Sequence, residues 1–340
     1  MKKILVTGGA GYIGSHTVVE LSNEGYEPVI LDDFSNSDPS VIDRLKNILG
    51  KDITYYKGNA CDREFLGHVF SSEGELFGAI HFAAFKAVGE SVEKPIAYYR
   101  NNLESTMALL ETMKKYNCDN LVFSSSCTVY GESETLPVTE ETPRKEAQSP
   151  YGNTKKICED IIRDTIKTDN RLKAVSLRYF NPIGAHSSAQ IGELPLGVPA
   201  NLVPFITQTA AGIRDGMKVF GNDYDTPDGT CIRDYIHVTD LAKAHVKSIE
   251  YLQSKSDHNR YDTFNIGVGK GHTVLEVIKT FESVTGVKLK YTITGRRPGD
   301  VEKIYADTAK AEKILHWKAE KSLGDALKDA WNWQQALEKI

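Results

Sequence analysis

The chain has 340 residues, 40% hydrophobic and 26% charged, which is the composition of an ordinary globular protein of one large or two average domains. Its formal net charge is −5, from 41 basic and 46 acidic residues with the basic ones dispersed, which argues against a nucleic-acid partner. No apolar run approaches the ~20 residues of a membrane span, and the N-terminal run stops at Val6, too short for a secretory signal, so a cytoplasmic protein with no membrane contact is expected.

In chain order, the first half alternates short apolar runs with longer amphipathic ones. Residues 3–8 (KILVTG) read as a buried strand, and residues 11–25 carry apolar positions at helical spacing and stop at Gly25. Strands follow at 28–33, 53–58, 78–84, 120–126 and 174–180, with helices near 39–49, 62–72, 95–116 and 151–169. The strands are continuous apolar runs, as expected when both faces are covered, and the alternation implies right-handed crossovers in a mostly parallel sheet. After Asn181-Pro182 the chain is rich in Gly, Pro and polar residues up to 233, with one helix near 201–214. Residues 234–252 read as a strand or turn leading into a helix capped by Thr239 or Asp240. FNIG (264–267), a helix at 273–285, a strand at 288–293 and helices near 308–315 and 322–337 complete the chain. The expected fold is α/β: a doubly wound parallel sheet over 1–181 and a smaller C-terminal α/β domain over 182–340, with part of 234–267 returning to the first.

The five cysteines (61, 118, 127, 158 and 231) are odd in number, widely spaced and form no C-x-x-C, so neither a disulfide framework nor a zinc site is expected. The nine histidines include no H-E-x-x-H, so no metal is expected.

TGGAGYIG (7–14) is the strongest local signal, because it follows a predicted strand and opens a predicted helix. Gly8 permits the tight turn, Gly11 lets the backbone approach a pyrophosphate, and Gly14 lets helix and sheet pack closely. The helix N-terminus then offers amides and a positive dipole end to the phosphates of a dinucleotide. Asp32-Asp33 ends the second strand about 20 residues on, where a ribose-binding carboxylate belongs. A carboxylate there repels a 2′-phosphate, which favours NAD over NADP and marks the first domain as Rossmann-type.

Tyr151 and Lys155 stand at i and i+4 of a predicted helix and so share one face. A nearby ammonium favours the phenolate, so the tyrosine pKa is expected to fall toward working pH and fit it as a general base for an alcohol proton. Y-x-x-x-K alone is common by chance, and a surface tyrosine with a solvated lysine is the plain alternative. SSSCTVYG (124–131) at the preceding strand end adds weight, because ligands of open α/β sheets bind beyond the carboxyl ends of strands. Ser126 is the best placed to hold a substrate oxygen; Ser124 and Ser125 are expected as strand-end hydroxyls bonded to backbone.

Together TGxxGxxG, the strand-end serine and YxxxK resemble the extended short-chain dehydrogenase/reductase family. HFAAFKAVGESVEKPIAYYRNN (81–102), SSSCTVYG, SPYGNTK (149–155), LRYFNPIGAH (177–186), FGNDYDTPDGTCIRDYIHVTDLA (220–242) and RRPGD (296–300) resemble, within it, the UDP-glucose 4-epimerases, in order and spacing over nearly the whole chain. The resemblance implies a pyrophosphate loop of Gly8, Gly11, Tyr12, Ile13 and Gly14, with ribose contacts at Asp32 and Asn36. It implies further NAD contacts at Phe82, Ala83, Lys86 and Asn101, a catalytic trio of Ser126, Tyr151 and Lys155, and UDP-hexose contacts at Asn181, Asn201, Leu202, Arg233, Arg297 and Asp300. Phe220 matches a residue beside the uracil. Guanidinium groups suit a diphosphate independently of any resemblance. The implied reaction is transient oxidation at hexose carbon 4, rotation of the keto sugar, and return of the hydride to the other face. A homodimer is implied too, with the helices at 95–116 and 151–169 pairing across a two-fold axis.

Two positions depart from the family. Gly58-Asn59-Ala60 replaces an acidic pattern at the adenine pocket, so the Asn59 amide oxygen is expected to accept from the adenine amino group without a charge. Ile304 stands four residues after Asp300, where a tyrosine is associated with plain hexoses and a small residue with N-acetylated ones. A nucleotide-sugar 4,6-dehydratase is the nearest rival; those enzymes carry an Asp-Glu pair after the strand-end hydroxyl, where this chain has Cys127-Thr128. A non-catalytic dinucleotide sensor is the rival from another class, and the intact trio argues against it.

Overall fold

The computed structural model describes residues 1–255, 260–297 and 300–337. The first part runs β1 (Lys3–Thr7), α1 (Tyr12–Asn23), β2 (Glu27–Asp32), α2 (Val41–Leu49), β3 (Thr54–Lys57), α3 (Arg63–Glu73), β4 (Leu76–His81), α4 (Val88–Glu93), α5 (Pro95–Lys115), β5 (Asn120–Ser124), α6 (Pro150–Thr168) and β6 (Lys173–Tyr179). The second runs β7 (Asn181–Ile183), α7 (Leu202–Ala210), β8 (Met217–Phe220), β9 (Ile232–His237), α8 (Val238–Ser254), β10 (Tyr261–Ile266), β11 (Gly271–Thr273), α9 (Val274–Thr285), β12 (Tyr291–Thr294), β13 (Lys303–Ile304), α10 (Ala309–Leu315) and α11 (Leu323–Leu337).

Seven strands form one parallel sheet in the order β10-β6-β5-β4-β1-β2-β3. The strand order reverses between β1 and β4, which opens a crevice at their carboxyl ends. One apolar layer, including Ile4, Val18, Leu241 and Ile249, lies between the sheet and α1 and α8; the other, including Leu109, Met113 and Ile162, lies under α5 and α6. Thus β10, although late in sequence, completes the large sheet, and α8 covers part of one face. A smaller layer joins β11, β9 and β13 with β7 against β9, and β12 pairs with β8. Its core includes Ile206, Phe281 and Leu327.

Several boundaries differ from expectation. The helix expected at 201–214 stops at Ala210, because Ala211 and the positive-φ Gly212 (φ +75°) turn the chain. The strand expected at 288–293 spans Tyr291–Thr294, where β8 supplies its partner. The cap of α8 is His237 rather than Thr239 or Asp240: its Nδ1 accepts from the Thr239 amide at 3.0 Å. Asp240 instead accepts from the amides of Glu320 and Lys321.

Candidate active site

The glycine turn sits at the β1 end of the crevice. Gly8 has φ +70°, and a Cβ there would lie 2.8 Å from the Ala83 nitrogen; one on Gly14 would collide with the Gly8 carbonyl. No side chain caps α1 at Gly11, so its first-turn amides face the crevice without an internal partner. The Tyr12 hydroxyl donates to the Gly184 carbonyl at 2.7 Å and ties this turn to the second layer. Asp32 is buried at the end of β2: Oδ2 accepts from the Ala10 amide (3.0 Å), and Oδ1 from the Phe34 amide (2.9 Å) and Ser37 Oγ (3.0 Å). Burial holds its carboxyl above the usual range despite these bonds.

Phe82 continues the β1–β4 pairing by donating to the Thr7 carbonyl (2.9 Å), and its ring lies 4.6 Å from that of His245. Phe82, Ala83 and Gly8 therefore meet at the crevice floor. Asn36 is exposed on the loop after β2. The Asn59 amide oxygen, expected to be available to adenine, accepts from the Cys61 amide at 2.8 Å, so the local turn already uses one of its acceptor positions. Asn101 donates to the side chain of Asn102 (3.1 Å). Asn102, which the sequence reading passed over, bonds both backbone groups of Phe85 and Thr154 Oγ1, joining the loop after β4 to α6.

The trio forms where the end of β5 meets the start of α6. Ser126 caps a single 3₁₀ turn (Cys127–Tyr130), its Oγ accepting from Thr128 N (3.2 Å) and Thr128 Oγ1 (2.9 Å). Ser149 caps α6 through the Gly152 amide, with Pro150 in the first turn, so Tyr151 is presented at the helix mouth. A Cβ on Gly152 would lie 3.2 Å from Thr128 Cβ, so the helix packs closely on the turn after Ser126. Lys155 is buried; its Nζ donates to the Ser124 carbonyl at 2.7 Å and lies 6.0 Å from the Tyr151 ring centroid.

The expected fall in the tyrosine pKa is corrected by the structure. Burial pushes the Tyr151 phenol above its usual range, with the Ser126 hydroxyl pulling the other way, and burial lowers the Lys155 amine to about 8. The Lys155 Nζ serves the Ser124 carbonyl, and desolvation is the largest effect on both groups. Ser124 and Ser125 also differ from expectation, since both bond side chains: Ser124 Oγ pairs with the Tyr179 hydroxyl (2.8 Å) and Ser125 Oγ with Glu159 (2.6 Å).

Across the crevice, Asn181 opens β7 opposite Tyr235. Arg233 belongs to strand β9 rather than a loop, in register with Ile304 of β13 and His272 of β11. Its Nη2 lies 3.9 Å from Asp300 Oδ1. Arg297 grips the same carboxylate through Nε (3.1 Å) and Nη2 (2.7 Å), with its guanidinium 5.7 Å from the Phe220 ring centroid. Phe220, Arg233, Arg297 and Asp300 thus converge; Pro298 and Gly299 of RRPGD lie outside the described residues. Asn201 precedes α7, whose first residue, Leu202, packs on the small core. Ile304 is buried in an apolar cluster with Val129, Tyr130 and Phe180, against which Cys127 packs. Glu193, also missed from sequence, accepts on Oε1 from Asn201 Nδ2 (2.6 Å) and Lys86 Nζ (3.2 Å), so one carboxylate joins both sides of the crevice. Among the described residues there is no cluster suited to a metal ion.

A family model described as GDP-mannose 4,6 dehydratase matches residues 5–330. The UDP-glucose 4-epimerase of Bacillus subtilis is 51% identical over 333 residues, covering 98% of this chain and 97% of that protein. The crystal structure of UDP-glucose 4-epimerase from Bifidobacterium longum in complex with NAD+ and UDP is 48% identical, covers 98% of both chains and superposes with a TM-score of 0.94. That of the Stenotrophomonas maltophila enzyme, with bound NAD and formylated UDP-arabinopyranose, is 44% identical over 100% of this chain and 99% of that one, with a TM-score of 0.96. The chain belongs to the family that the matching model describes and, within it, to the UDP-glucose 4-epimerases.

Proposed function

We propose that this protein interconverts UDP-glucose and UDP-galactose in the cytoplasm with a retained NAD. The observation that carries the reading is that Ser126, Tyr151 and Lys155 gather where the end of β5 meets the mouth of α6, in the sheet whose β1 leads into the Gly8–Gly14 turn, while Arg233, Arg297 and Asp300 cluster on the smaller layer. The residues fit a dinucleotide: the glycine turn leaves a cradle that a Cβ would fill, α1 presents uncapped amides, and Asp32 is held by the Ala10 amide at the end of β2, where the motif calls for a ribose carboxylate. NAD, when bound, supplies reversible hydride acceptance. Tyr151 moves the proton of the hexose 4-hydroxyl, Ser126 holds that oxygen, and Lys155 supplies positive charge beside the phenol. Arg233 and Arg297 anchor the diphosphate, Phe220 flanks the base, and Asn181, Asn201 and Leu202 complete the UDP side. With UDP held and the pyranose left without rigid contacts, the sugar can present either face.

The dehydratase named by the matched family model needs acid and base groups at carbons 5 and 6, and Cys127 and Thr128 offer neither. We assign the seven-stranded layer with α8 and β10 to NAD and the smaller layer to UDP-sugar. We also propose a homodimer through α5 and α6, with Ile96 in the first turn of α5 67% exposed and Val92 on the preceding α4 62% exposed. The test is product analysis with UDP-galactose and, separately, UDP-N-acetylgalactosamine. UDP-glucose from the first supports the reading; a dehydrated product or no turnover overturns it.

A further inference from the structure

Behind the trio lies a carboxylate whose two oxygens take four hydrogen bonds. Glu159 stands four residues beyond Lys155 and eight beyond Tyr151, so the three share one face of α6. Its side chain is 1% exposed. Oε1 accepts from Ser125 Oγ (2.6 Å) and Arg178 Nε (2.9 Å), and Oε2 from Arg178 Nη2 (2.8 Å) and Arg144 Nη1 (3.3 Å). Arg178 Nη1 continues to the Tyr130 hydroxyl (3.1 Å), which donates to Asn265 of β10 (2.6 Å). These partners lie at the end of β5, on β6, and on the segment leading into α6. Ser125 directly precedes Ser126, and Arg178 stands three residues before Asn181.

We infer that Glu159 is a positioning residue for this reaction: its carboxylate locks α6 against the ends of β5 and β6, setting Ser126 against Tyr151 with Lys155 one helical turn away on the same face. The inference rests on the functional reading above and deepens it. A buried ion pair adds little net stability over apolar packing of equal volume, whereas a bidentate guanidinium–carboxylate pair fixes distance and angle. The groups facing Lys155 are Tyr151, Cys158 and Glu159 on α6, His81 on β4, and the Ser124 carbonyl and Phe123 ring on β5. Burial holds the His81 ring neutral and raises the Cys158 thiol, and the Glu159 carboxylate is shared with Arg144 and Arg178.

The experiment compares Glu159→Gln, Glu159→Asp and Ser125→Ala in the full chain with its retained NAD. It measures kcat and KM for UDP-galactose, and the titration of Lys155 by nuclear magnetic resonance of ¹³C-lysine-labelled protein, the signal being assigned by its loss in Lys155→Met. Glu159→Gln is expected to lower kcat by about 10²-fold at unchanged KM, the scale of a misplacement near 1 Å. Removing a neighbouring negative charge disfavours the ammonium, so the Lys155 titration should also move down by about one pH unit. Glu159→Asp should keep the titration and lower kcat; Ser125→Ala should lower kcat less and leave the titration in place. An unmoved Lys155 titration in Glu159→Gln, or a KM rising in step with the fall in kcat, overturns the inference. Should Glu159→Gln fail to fold, wild-type kcat in both other variants overturns it equally. Failure of the functional reading shows separately, as wild-type protein that does not turn over UDP-galactose while Lys155 still reports on Glu159.

Discussion

Tyr151 is buried at a helix mouth, so removing its hydroxyl changes little packing. Tyr151→Phe is therefore expected to fold and retain NAD yet lose about 10²–10⁴-fold in turnover of UDP-galactose, the usual cost of a positioned general base. Turnover within a few-fold of wild type would show that another group moves the proton. Ile304 lies against Phe180 and Cys127 with its branched β-carbon, stiff at χ1, unable to swing aside. UDP-N-acetylgalactosamine is expected to react more slowly than UDP-galactose, by roughly 10–200-fold, the scale of one steric misfit of about 1–3 kcal/mol. Ile304→Ser should raise the N-acetyl activity and Ile304→Tyr should abolish it while sparing the hexose; an unchanged kcat/KM ratio in Ile304→Tyr removes this residue as the gate. The glycine turn, Asp32, Ser126, Tyr151 and Lys155 were legible because their spacing along the chain is itself the chemical requirement. Asn102, Glu159 and Glu193 were not, since each acts through partners on other segments, 8 to 107 residues away, and no local pattern marks a carboxylate that Lys86 and Asn201 share. The ionisation of Tyr151 was misjudged for a related reason: helical spacing gives proximity to Lys155 but says nothing of desolvation.

At the level of elements, long helices and buried strands followed from periodicity and capping residues, and their ends moved by only a few positions. The short strands β7, β11 and β13, of three, three and two residues, were not foreseen, because so few residues carry no period and pair only once distant chain arrives. The start of α8 was misread since an imidazole can accept a first-turn amide as a hydroxyl does. The β2–α1 junction carries its own prediction. Asp32 is held by Ala10, Phe34 and Ser37, so its carboxylate cannot turn away from a phosphate on the ribose 2′ position. The cofactor released by denaturing the purified protein is expected to have the mass of NAD, and added NADP should not replace it; recovery of mainly NADP would overturn the assignment of this junction.

The whole molecule stores a pH dependence in its interior. His16, His81 and His245 are 0–2% exposed, and burial lowers their rings to about 3, 3 and 4. The folded protein therefore keeps them neutral while the unfolded chain protonates below about 6.5, so their contribution is complete above that pH and is lost as pH falls toward the folded values. Each costs about 1.4 kcal/mol per pH unit in that window. Asp234, pushed up to about 6 by burial, acts in the opposite sense between that value and the usual aspartate range, cancelling about one histidine there. Urea unfolding at pH 7.5 and pH 5 should show a loss of several kcal/mol at the lower pH; equal stabilities would mean that water reaches these rings.

The late arrival of β10 at the sheet bears on how the chain is made. As the polypeptide leaves the ribosome, β6 is finished at Tyr179, yet the strand that pairs with it begins at Tyr261. During that interval the nascent chain carries an apolar parallel strand with an open row of amides and carbonyls, the kind of edge that recruits other chains. A fragment ending at residue 181 should therefore precipitate, whereas one extended through β10 should remain dispersed. The two layers are for this reason not a division of folding: the large sheet must wait for β7, α7, β8 and β9 of the smaller layer to be synthesised before its last strand can close.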